Sequence, residues 1–336
     1  MRKRRATERP TLADVAAQAR VSAITVSRYF NAPARVGADA RQRIKAAVEA
    51  LNYVPNLAAG GLASAHNKVV AMVVPNISGP IFAQTLQSLS DGLSEAGYQL
   101  LLASSYFSLE AEERAVRAFL GWQPAALVLT SRHHSAGTER LIESAGVPVM
   151  ETWDLAQRRT PFQIGFSHRQ VGRDGVQYLQ ERGYQRIAFV HNSAAGDLSA
   201  RERCEGYADA LKAAGRTPFF VTPTEPDPLA AGAQALTLLL EQQPRPDAAF
   251  FANDNLACGA LLAAQRQGLR VPAELALFGF GDYAFADKLL PSLSTIRPPA
   301  REIGHCAARH ILTLAEGGEP PRLTALACEV IARESA

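Results

Sequence analysis

The sequence predicts an α/β protein, with a small N-terminal helical module followed by two doubly wound parallel sheets. Residues 11–31 read as two short amphipathic helices joined by a tight turn. From Val69 onward, short continuous apolar runs alternate with amphipathic helical segments, a pattern typical of parallel strands covered on both faces. A chain of 336 residues is also long enough for two or three domains.

The charge is divided unevenly along the chain. Residues 1–68 contain 12 Lys and Arg against 4 Asp and Glu, a net charge of +8, whereas the remainder carries a net charge of −5. A small basic module on a mildly acidic body is typical of a nucleic-acid-binding domain attached to another function. Residues 1–10, which include Arg2-Lys3-Arg4-Arg5, are expected to form a flexible basic arm that adds phosphate contacts.

The two helices of residues 11–31 are predicted from the spacing of their apolar residues and from a capping serine. The first helix places apolar side chains at helical spacing, and Ser22 is positioned to cap the second helix by accepting from free backbone amides. Helices this short must pack on neighbours to be stable. A helix-turn-helix packs such a pair and leaves its second helix free to enter a major groove.

A third amphipathic helix is predicted over residues 38–51, with Ile44, Val48 and Leu51 facing inward. Its basic side chains either form a phosphate-facing rim or are simply solvated. They are Arg41, Arg43 and Lys45.

These motifs together resemble the DNA-binding headpiece of the LacI (lac/gal repressor) family. The matching residues are Thr11-Leu-x-Asp-Val-Ala16, Val21-Ser22, Thr25-Val-Ser-Arg28, Asn31, Val36, Leu51-Asn-Tyr-x-Pro-Asn56 and Leu62. The resemblance implies a headpiece over residues 11–56, a hinge over 57–68, and a two-lobed effector-binding and dimerisation domain over 69–336.

The resemblance also implies which headpiece residues contact DNA. Ala23 and Ile24 occupy the positions that distinguish operators, and as apolar side chains they are expected to pack on thymine methyl groups. Arg28 is expected to pair with guanine. The other predicted DNA-binding residues of the headpiece are Thr11, Ser22, Thr25, Ser27, Asn31 and Asn56. Arg20 departs from the family, which usually has glycine in this turn, and a non-glycine residue with positive φ is uncommon.

The hinge carries a second departure. Leu62 matches the family leucine that wedges into the minor groove when a short hinge helix forms on the operator. Gly60-Gly61 precedes it, and each glycine costs roughly 1 kcal/mol of helix stability relative to alanine. The hinge helix is therefore expected to form with difficulty, and a plain linker is the alternative.

The body contains more strand-like runs than one small sheet accommodates. They are residues 69–74, 99–103, 126–130, 147–150, 187–190, 219–221, 248–251 and 276–278, with a final strand near the C-terminus. Two subdomains of the periplasmic-binding-protein type, which the family's body resembles, fit this number. Ligands of such sheets bind at the carboxyl ends of the strands, so the effector is expected in the cleft between the lobes.

The predicted effector-binding residues are therefore those that follow the strands, together with Glu151 inside one strand. They are Phe82, Tyr106, Thr130, Arg132, Glu151, Trp153, Ser167, Ser199, Arg203, Asn253, Asp254 and Asp282. Arg203-Cys-Glu-Gly-Tyr207 resembles the family motif whose arginine contacts effector. Asp254 resembles the family aspartate that accepts sugar hydroxyls, or alternatively it caps the helix that follows.

Several segments of the body look most like the gluconate-responsive branch of the family. They are Thr130-Ser-Arg-His133, Ile164-Gly-Phe-Ser167 and Leu100–Tyr106. This likeness implies a sugar-acid effector, gluconate or a ketogluconate, whose carboxylate meets Arg132 or Arg203. Trp153 offers a flat face for a sugar ring. A neutral sugar, a pentose or a nucleoside is the alternative.

The predicted function is a ligand-controlled transcriptional repressor that acts as a homodimer on a pseudopalindromic operator. An enzyme is disfavoured because the sequence has no phosphate-binding loop and no dinucleotide fingerprint, and no cofactor is expected. A transport-type binding protein is disfavoured by the basic headpiece and the absence of an export signal, which together predict a cytoplasmic protein.

No metal site is expected either. His133 and His134 are adjacent on a loop and should point apart, with no partner at zinc-like spacing. The cysteines lie far apart in apolar or helical segments and are expected to stay reduced. They are Cys204, Cys258, Cys306 and Cys328.

Overall fold

The computed structural model describes residues 9–55, 67–77, 79–155, 162–192 and 197–336. The chain divides into two compact units, Met1–Asn67 and Lys68–Ala336, and each is described by itself.

The first unit is the predicted three-helix module. Its helices are α1 (Leu12–Ala19), α2 (Ala23–Asn31) and α3 (Ala38–Leu51), with a 3₁₀ turn at Pro33–Arg35. They enclose a small apolar core made of Val15, Ala16, Ala19, Val26, Val36, Ile44, Ala47 and Tyr53. Val48 and Leu51 pack at its margin, as the helical spacing predicts.

Both helices of the pair are capped by side chains. The Thr11 hydroxyl accepts from the Asp14 amide while the Asp14 carboxylate accepts from the Thr11 amide at 2.7 Å, a reciprocal capping box. Ser22 caps α2 as predicted, because its Oγ accepts from the Thr25 amide at 3.2 Å. The Thr11 cap fixes where α1 begins, and the Ser22 cap fixes where the turn ends and α2 begins.

The second unit contains two six-stranded sheets, which confirms the predicted fold class. The first sheet has the strand order β11-β5-β4-β3-β1-β2 and the second β12-β10-β9-β8-β6-β7. The strands are β1 (Val69–Val74), β2 (Gln99–Ser104), β3 (Ala126–Thr130), β4 (Val149–Thr152), β5 (Phe162–Gly165), β6 (Ile187–Val190), β7 (Phe219–Val221), β8 (Ala248–Phe251), β9 (Ala276–Phe280), β10 (Ser294–Arg297), β11 (Leu323–Ala325) and β12 (Glu329–Ile331). Neighbouring strands are parallel except for β10 and β12, which are antiparallel.

Helices cover both sheets. The first lobe consists of the first sheet with α4 (Ala83–Glu95), α5 (Leu109–Leu120), α6 (Ala136–Glu143) and α11 (Ala300–Ala315). The second lobe consists of the second sheet with α7 (His168–Glu181), α8 (Leu198–Ala213), α9 (Pro228–Leu240) and α10 (Asp254–Gln267). The chain passes between the lobes after β5, after β10 and after β11. The carboxyl ends of the parallel strands therefore meet where the lobes adjoin.

The close packing of α7 on α8 fixes the residues at the start of α8. A Cβ atom at Gly172 would collide with the carbonyl oxygen of Arg203, and one at Gly206 would collide with the carbonyl oxygen of Arg169. Only glycine permits this backbone approach at the two positions. The backbone at Arg203 is thereby held against α7.

Within the described residues, none of the helices is both long enough and apolar enough to cross a membrane.

Candidate functional site

The α2 helix presents an exposed face at its N-terminal end. Ser22, Ala23, Ile24 and Arg28 are exposed, and Ile24 keeps 64% of its surface accessible although it is a large apolar side chain. Thr25 and Ser27 are half-buried. An apolar side chain held in water at the start of a helix has no role in the headpiece core, which suits contact with the methyl groups of a major groove.

Thr11 is exposed but engaged in the capping box of α1, so its side chain also has a structural role. The side chain of Asn31, and the predicted contacts Asn56 and Leu62 with Gly60-Gly61, lie outside the described residues.

The turn between α1 and α2 contains a non-glycine residue with positive φ. Arg20 adopts φ 52° and ψ 50°, a left-handed conformation, at the end of α1. Arg43 of α3 donates to the Ala19 carbonyl at 3.1 Å and so satisfies a carbonyl that the helix end leaves free. Arginine therefore occupies this turn with the geometry that glycine adopts without strain.

The second unit has a cavity of about 260 Å³ formed by residues of both lobes. Half of the predicted effector-binding residues line it, and each lies at the carboxyl end of a strand or in the segment or helix that follows one. These lining residues are Phe82, Thr130, Trp153, Ser199, Arg203 and Asn253. The volume suits a ligand of monosaccharide size, since sites for larger drug-like ligands usually measure about 300–1,000 Å³.

Three cavity residues that follow strands of the first sheet at its carboxyl end have a strained backbone. Phe107, Ser131 and Trp153 line the cavity with φ values of 60°, 92° and 71°. Positive φ is costly for side chains other than glycine and asparagine, and such residues concentrate at functional sites.

Arg203 is a buried cation in the cavity wall, with 3% of its surface exposed. Its guanidinium donates to His168 Nδ1 at 2.9 Å and to the Ala252 carbonyl at 3.1 Å, and lies 4.2 Å from the Phe280 ring centre. Its nearest carboxylate, Asp197, is 3.9 Å away. Burial lowers the pKa of Arg203 from its ordinary value, a sign that the charge is incompletely compensated.

His168 is neutral beside this arginine. Burial, and after it the Arg203 charge, lowers the pKa of His168 well below its usual range. Because Arg203 donates to Nδ1, the single ring proton lies on Nε2. The immediate surroundings of Arg203 thus supply neutral acceptors and leave room for an anionic ligand.

Aromatic rings form one wall of the cavity. The rings of Phe82 and Trp153 meet edge to face at 5.0 Å, and those of Trp153 and Phe166 at 5.9 Å. Phe82, Trp153 and Phe280 line the cavity, whereas Phe166 is outside the lining and contacts the rings of both Trp153 and Phe280. Such a wall packs against the carbon chain or ring of a sugar.

Other predicted effector residues lie outside the cavity lining. Tyr106 is 77% exposed. Ser167 is exposed and caps α7 by accepting from the Gln170 amide at 3.2 Å. Asp282 forms ion pairs with Arg297 and Arg333 at 2.6 Å each.

Asp254 has a structural role that differs from the predicted cap. The cap of α10 is Asn253, whose side chain accepts from the Leu256 amide, and Asp254 is the first helical residue. The fully buried Asp254 carboxylate accepts from the Thr295 hydroxyl at 2.6 Å and the Tyr283 amide at 2.9 Å. Burial outweighs these hydrogen bonds and raises its pKa to about 6.

Arg132 belongs to a cluster of charged groups that connects the two lobes. Its guanidinium pairs with Asp154 of the first lobe at 3.2 Å and with Glu202 of the second lobe. His133 Nε2 lies 2.8 Å from the same Glu202 carboxylate. Arg132 is therefore committed to carboxylates of the chain and does not line the cavity.

The donor atoms of His133, Asp154 and Glu202 lie within 4.8 Å of one another, close enough for metal ligands. The guanidinium of Arg132 already lies against both carboxylates, so the negative charge that would attract a metal ion is compensated. Even so, burial, and after it the Glu202 charge, raises the pKa of Asp154 to about 6. The cluster therefore fits an ion-pair network better than a metal site.

The adjacent histidines do point apart, as predicted. His133 contacts Glu202, whereas His134 Nδ1 lies 2.7 Å from Glu112 and its Nε2 lies 3.4 Å from Glu151. Glu151, the charge predicted inside strand β4, is fully buried and accepts from the Gln163 amide nitrogen at 2.7 Å. It is a partnered buried charge and does not line the cavity.

Several polar or aromatic cavity residues were not predicted as effector-binding residues. They are Glu112, His133, His168, Asn192, Asp197, Phe280 and Tyr283. His168 directly follows the predicted Ser167, and Phe280 ends the observed strand β9, two residues beyond the predicted strand 276–278. Glu112 lies inside a helix and carries no local signal.

One chain thus carries a helix-turn-helix unit with an exposed second helix and a two-lobed body whose cavity has an aromatic wall and a buried arginine. Together these define a DNA-binding transcriptional regulator. Comparison with known proteins agrees with this class. Residues 11–56 match the model of the bacterial regulatory proteins of the lacI family, and residues 176–336 match a periplasmic binding protein-like domain.

The chain is 37% identical over 335 residues to the HTH-type transcriptional regulator GntR of Pseudomonas aeruginosa, covering 98% of this chain and 97% of the relative. A solved LacI-family transcriptional regulator from Silicibacter pomeroyi superposes with a TM-score of 0.90 at 30% identity, covering 97% of this chain and 99% of that one. The lac repressor dimer bound to operator and the anti-inducer ONPF superposes with a TM-score of 0.83 at 26% identity, covering 98% and 99%.

The chain therefore belongs to the LacI family and is a transcriptional regulator rather than an enzyme.

Proposed function

We propose that this regulator is a repressor of a sugar-acid utilisation operon, and that gluconate or a ketogluconate in the cavity alters its affinity for a pseudopalindromic operator. The protein acts as a homodimer, as the lac repressor does on its operator. The ligand acts through its different affinity for two arrangements of the lobes, with a coupling of about 1–3 kcal/mol.

The observation that carries the sugar-acid assignment is the buried guanidinium of Arg203. A buried charge is costly unless it is paired, and the nearest carboxylate, Asp197, is 3.9 Å away and also caps α8 through the Ala200 amide. A ligand carboxylate would supply the missing charge through charge-assisted hydrogen bonds. Arg132, the other predicted partner, is already paired, so we assign the ligand carboxylate to Arg203.

A neutral sugar is the second candidate, and the aromatic wall of Phe82, Trp153 and Phe280 favours it because such rings pack against any sugar. The two candidates differ in what Arg203 contributes. Binding of a sugar acid depends on the positive charge of Arg203, whereas binding of a neutral sugar requires only that this residue donates a hydrogen bond.

The test is a thermal-shift screen of the full-length protein against sugar acids, neutral sugars and nucleosides. At a ligand concentration of about 100 times Kd, binding stabilises the folded protein by about 2.7 kcal/mol. Gluconate or ketogluconate should stabilise the wild type, and should also change its affinity for an operator obtained by selection from random DNA. Stabilisation by neutral sugars or nucleosides alone would overturn the sugar-acid assignment.

Arg203→Gln sharpens the test, with Arg201→Gln as its matched control, since Arg201 lies on the same helix with 76% of its side chain exposed. The Arg203 variant should lose sugar-acid binding by about a hundredfold or more, as expected for a buried charged partner, while the control should bind as the wild type does.

A further inference from the structure

The cavity carries a carboxylate as well as a cation, on opposite lobes. Glu112 lines the cavity from α5 in the first lobe, whereas Arg203 lines it from α8 in the second. Asp197, also in the lining, is on the side of Arg203, near its guanidinium. Glu112 is therefore a separate acidic group, contributed by the lobe that lacks the buried arginine.

Buried side chains hold Glu112 in place from behind. His134 has a fully buried side chain, with Nδ1 at 2.7 Å from Glu112 Oε1 and Nε2 at 3.4 Å from Glu151 Oε1. Glu151 is in turn fixed by Gln163. An imidazole between two carboxylates favours its doubly protonated form, so the three ionisable groups together keep one net negative charge.

The loop that carries His134 is also tied to the helix that carries Glu112. Ser135 donates from Oγ to Glu113 Oε2 at 2.8 Å, and the same hydroxyl caps α6 by accepting from the Thr138 amide at 3.0 Å. Glu113 directly follows Glu112 on α5. The position of the Glu112 carboxylate is therefore set on two sides.

The contact with His134 uses only one oxygen of Glu112. No donor within the described part of the chain makes a hydrogen bond to the second oxygen, Oε2. An ionised carboxylate only accepts hydrogen bonds, so its partner in the cavity must be a donor such as a hydroxyl. It would repel a ligand carboxylate, which orients an acidic ligand with its charge toward Arg203 and its hydroxyls toward Glu112.

We propose that Glu112 accepts a hydrogen bond from a hydroxyl of the effector and that His134 holds the Glu112 carboxylate in position for it. The cavity would then distinguish a polyhydroxy acid from the same acid lacking that hydroxyl. The inference rests on the proposed sugar-acid function and adds a specificity-determining residue to it. Arg203 selects for the acid, and Glu112 selects for the hydroxylated chain.

The experiment is calorimetric titration of the full-length protein with gluconate and with a series of gluconates that each lack one hydroxyl. Glu112→Gln should weaken gluconate binding by at least about tenfold, because it removes a hydrogen bond to a charged group. For one member of the series that loss should disappear, since its partner hydroxyl is already absent. Glu110→Gln, an exposed position on the same helix, should bind every ligand as the wild type does.

His134→Gln tests the positioning role with the same ligands. It should weaken gluconate binding and lose its effect for the same deoxy ligand, a selectivity that general loosening of the lobe would not produce. If Glu112→Gln does not fold, Glu112→Asp provides the same comparison, because it keeps the charge but withdraws it by one methylene.

The possible failures are distinguishable. If the wild type binds no sugar acid, the proposed function is overturned and this inference with it. If the wild type binds gluconate but Glu112→Gln binds it equally well, or loses the same factor for every deoxy ligand, the proposed function stands and this inference alone is overturned.

Discussion

His134 gives the body a proton-dependent contribution to its stability. Burial by itself would lower the pKa of His134, but Glu112 and Glu151 outweigh burial and raise the pKa from 6.5 to about 9. A group whose pKa is higher in the folded chain contributes stability that is complete below the unfolded pKa and is lost as the pH rises through the folded pKa. The relevant window runs from about pH 6.5 to about pH 9.

We therefore expect His134→Gln to flatten the decline of the unfolding free energy between pH 6.5 and pH 9. The measurement is chemical denaturation of the wild type and the variant at a series of pH values across that window. His305→Gln is the control, because His305 is exposed on α11. Curves for the wild type and His134→Gln that run parallel across the window would contradict the prediction.

At the scale of single residues, sequence reasoning predicted some positions and not their partners. Arg203 was predicted because it matches a family motif and Trp153 because it follows a strand, and both line the cavity. The pairing of Arg132 with Glu202, 70 positions away, depends on how two lobes meet and leaves no local pattern. Glu112 was missed for the same reason.

At the scale of elements, the turn after α1 stores strain. Arg20 holds φ 52° and ψ 50°, and the left-handed conformation costs an L-residue about 1–2 kcal/mol. Arg20→Gly should therefore stabilise the first unit by about 0.5–1 kcal/mol, after allowing for the greater freedom of glycine in the unfolded chain. Amide hydrogen exchange of α1, α2 and α3 in the full-length protein measures this change.

The control for the turn is Arg35→Gly, which removes another exposed arginine at a position without positive φ. It should leave protection unchanged or lower it. Slower exchange in both variants would mean that loss of positive charge, rather than relief of the turn, stabilises the unit.

The exposed face of α2 predicts a separation between specificity and affinity. Ile24→Gln replaces an exposed apolar side chain with one that can form hydrogen bonds with adenine. It should therefore change which operator sequence is preferred more than it changes the overall affinity for DNA. Arg41→Ala, on the exposed side of α3, should weaken binding to all sequences and lower the salt dependence by roughly one unit. Binding to a library of operator variants at several salt concentrations measures both effects; equal losses on every sequence for both variants would refute these roles.

The elements themselves were predictable to different extents. Strands such as β1 and β8 are continuous apolar runs buried in a sheet, so composition alone locates them. By contrast, β5, β10 and β11 were missed. Polar residues interrupt each of them, as Gln163 does in β5, and β11 is only three residues long. Gln163 is tolerated inside the buried strand β5 because the Glu151 carboxylate accepts a hydrogen bond from its side-chain amide.

At the scale of the whole body, the cluster around Arg132 joins the lobes. Arg132 and Asp154 come from the first lobe and Glu202 from the second. Asp154 has 1% of its side chain exposed, so Arg132 compensates a charge that water cannot reach. Because burial and Glu202 raise the pKa of Asp154 to about 6, its carboxylate is ionised at pH 7.5 and mostly protonated at pH 5.

Arg132→Gln should therefore lower the unfolding free energy by about 2–3 kcal/mol at pH 7.5 and by clearly less at pH 5, where a protonated Asp154 no longer needs the cation. Glu202→Gln should cost less than Arg132→Gln, since Arg132 keeps Asp154 as a partner and one carboxylate that repels Asp154 is gone. The double variant should then be less destabilised than the sum of the two, with a coupling of about 1 kcal/mol, because each single change already breaks the contact between the lobes.

Chemical denaturation of the wild type, both single variants and the double variant at the two pH values measures these losses of unfolding free energy and their coupling. Arg270→Gln is the matched control, because it breaks a pair with Glu274 in which the arginine side chain is 77% exposed, and it should cost only a few tenths of a kcal/mol at either pH. Equal costs for Arg132→Gln and Arg270→Gln would show that the lobes do not depend on this cluster. An Arg132→Gln cost that is the same at both pH values would show that the charge of Asp154 is not what Arg132 compensates. Only the predicted result, a large cost at pH 7.5 that shrinks at pH 5, makes the cluster a proton-sensitive connection between the two lobes.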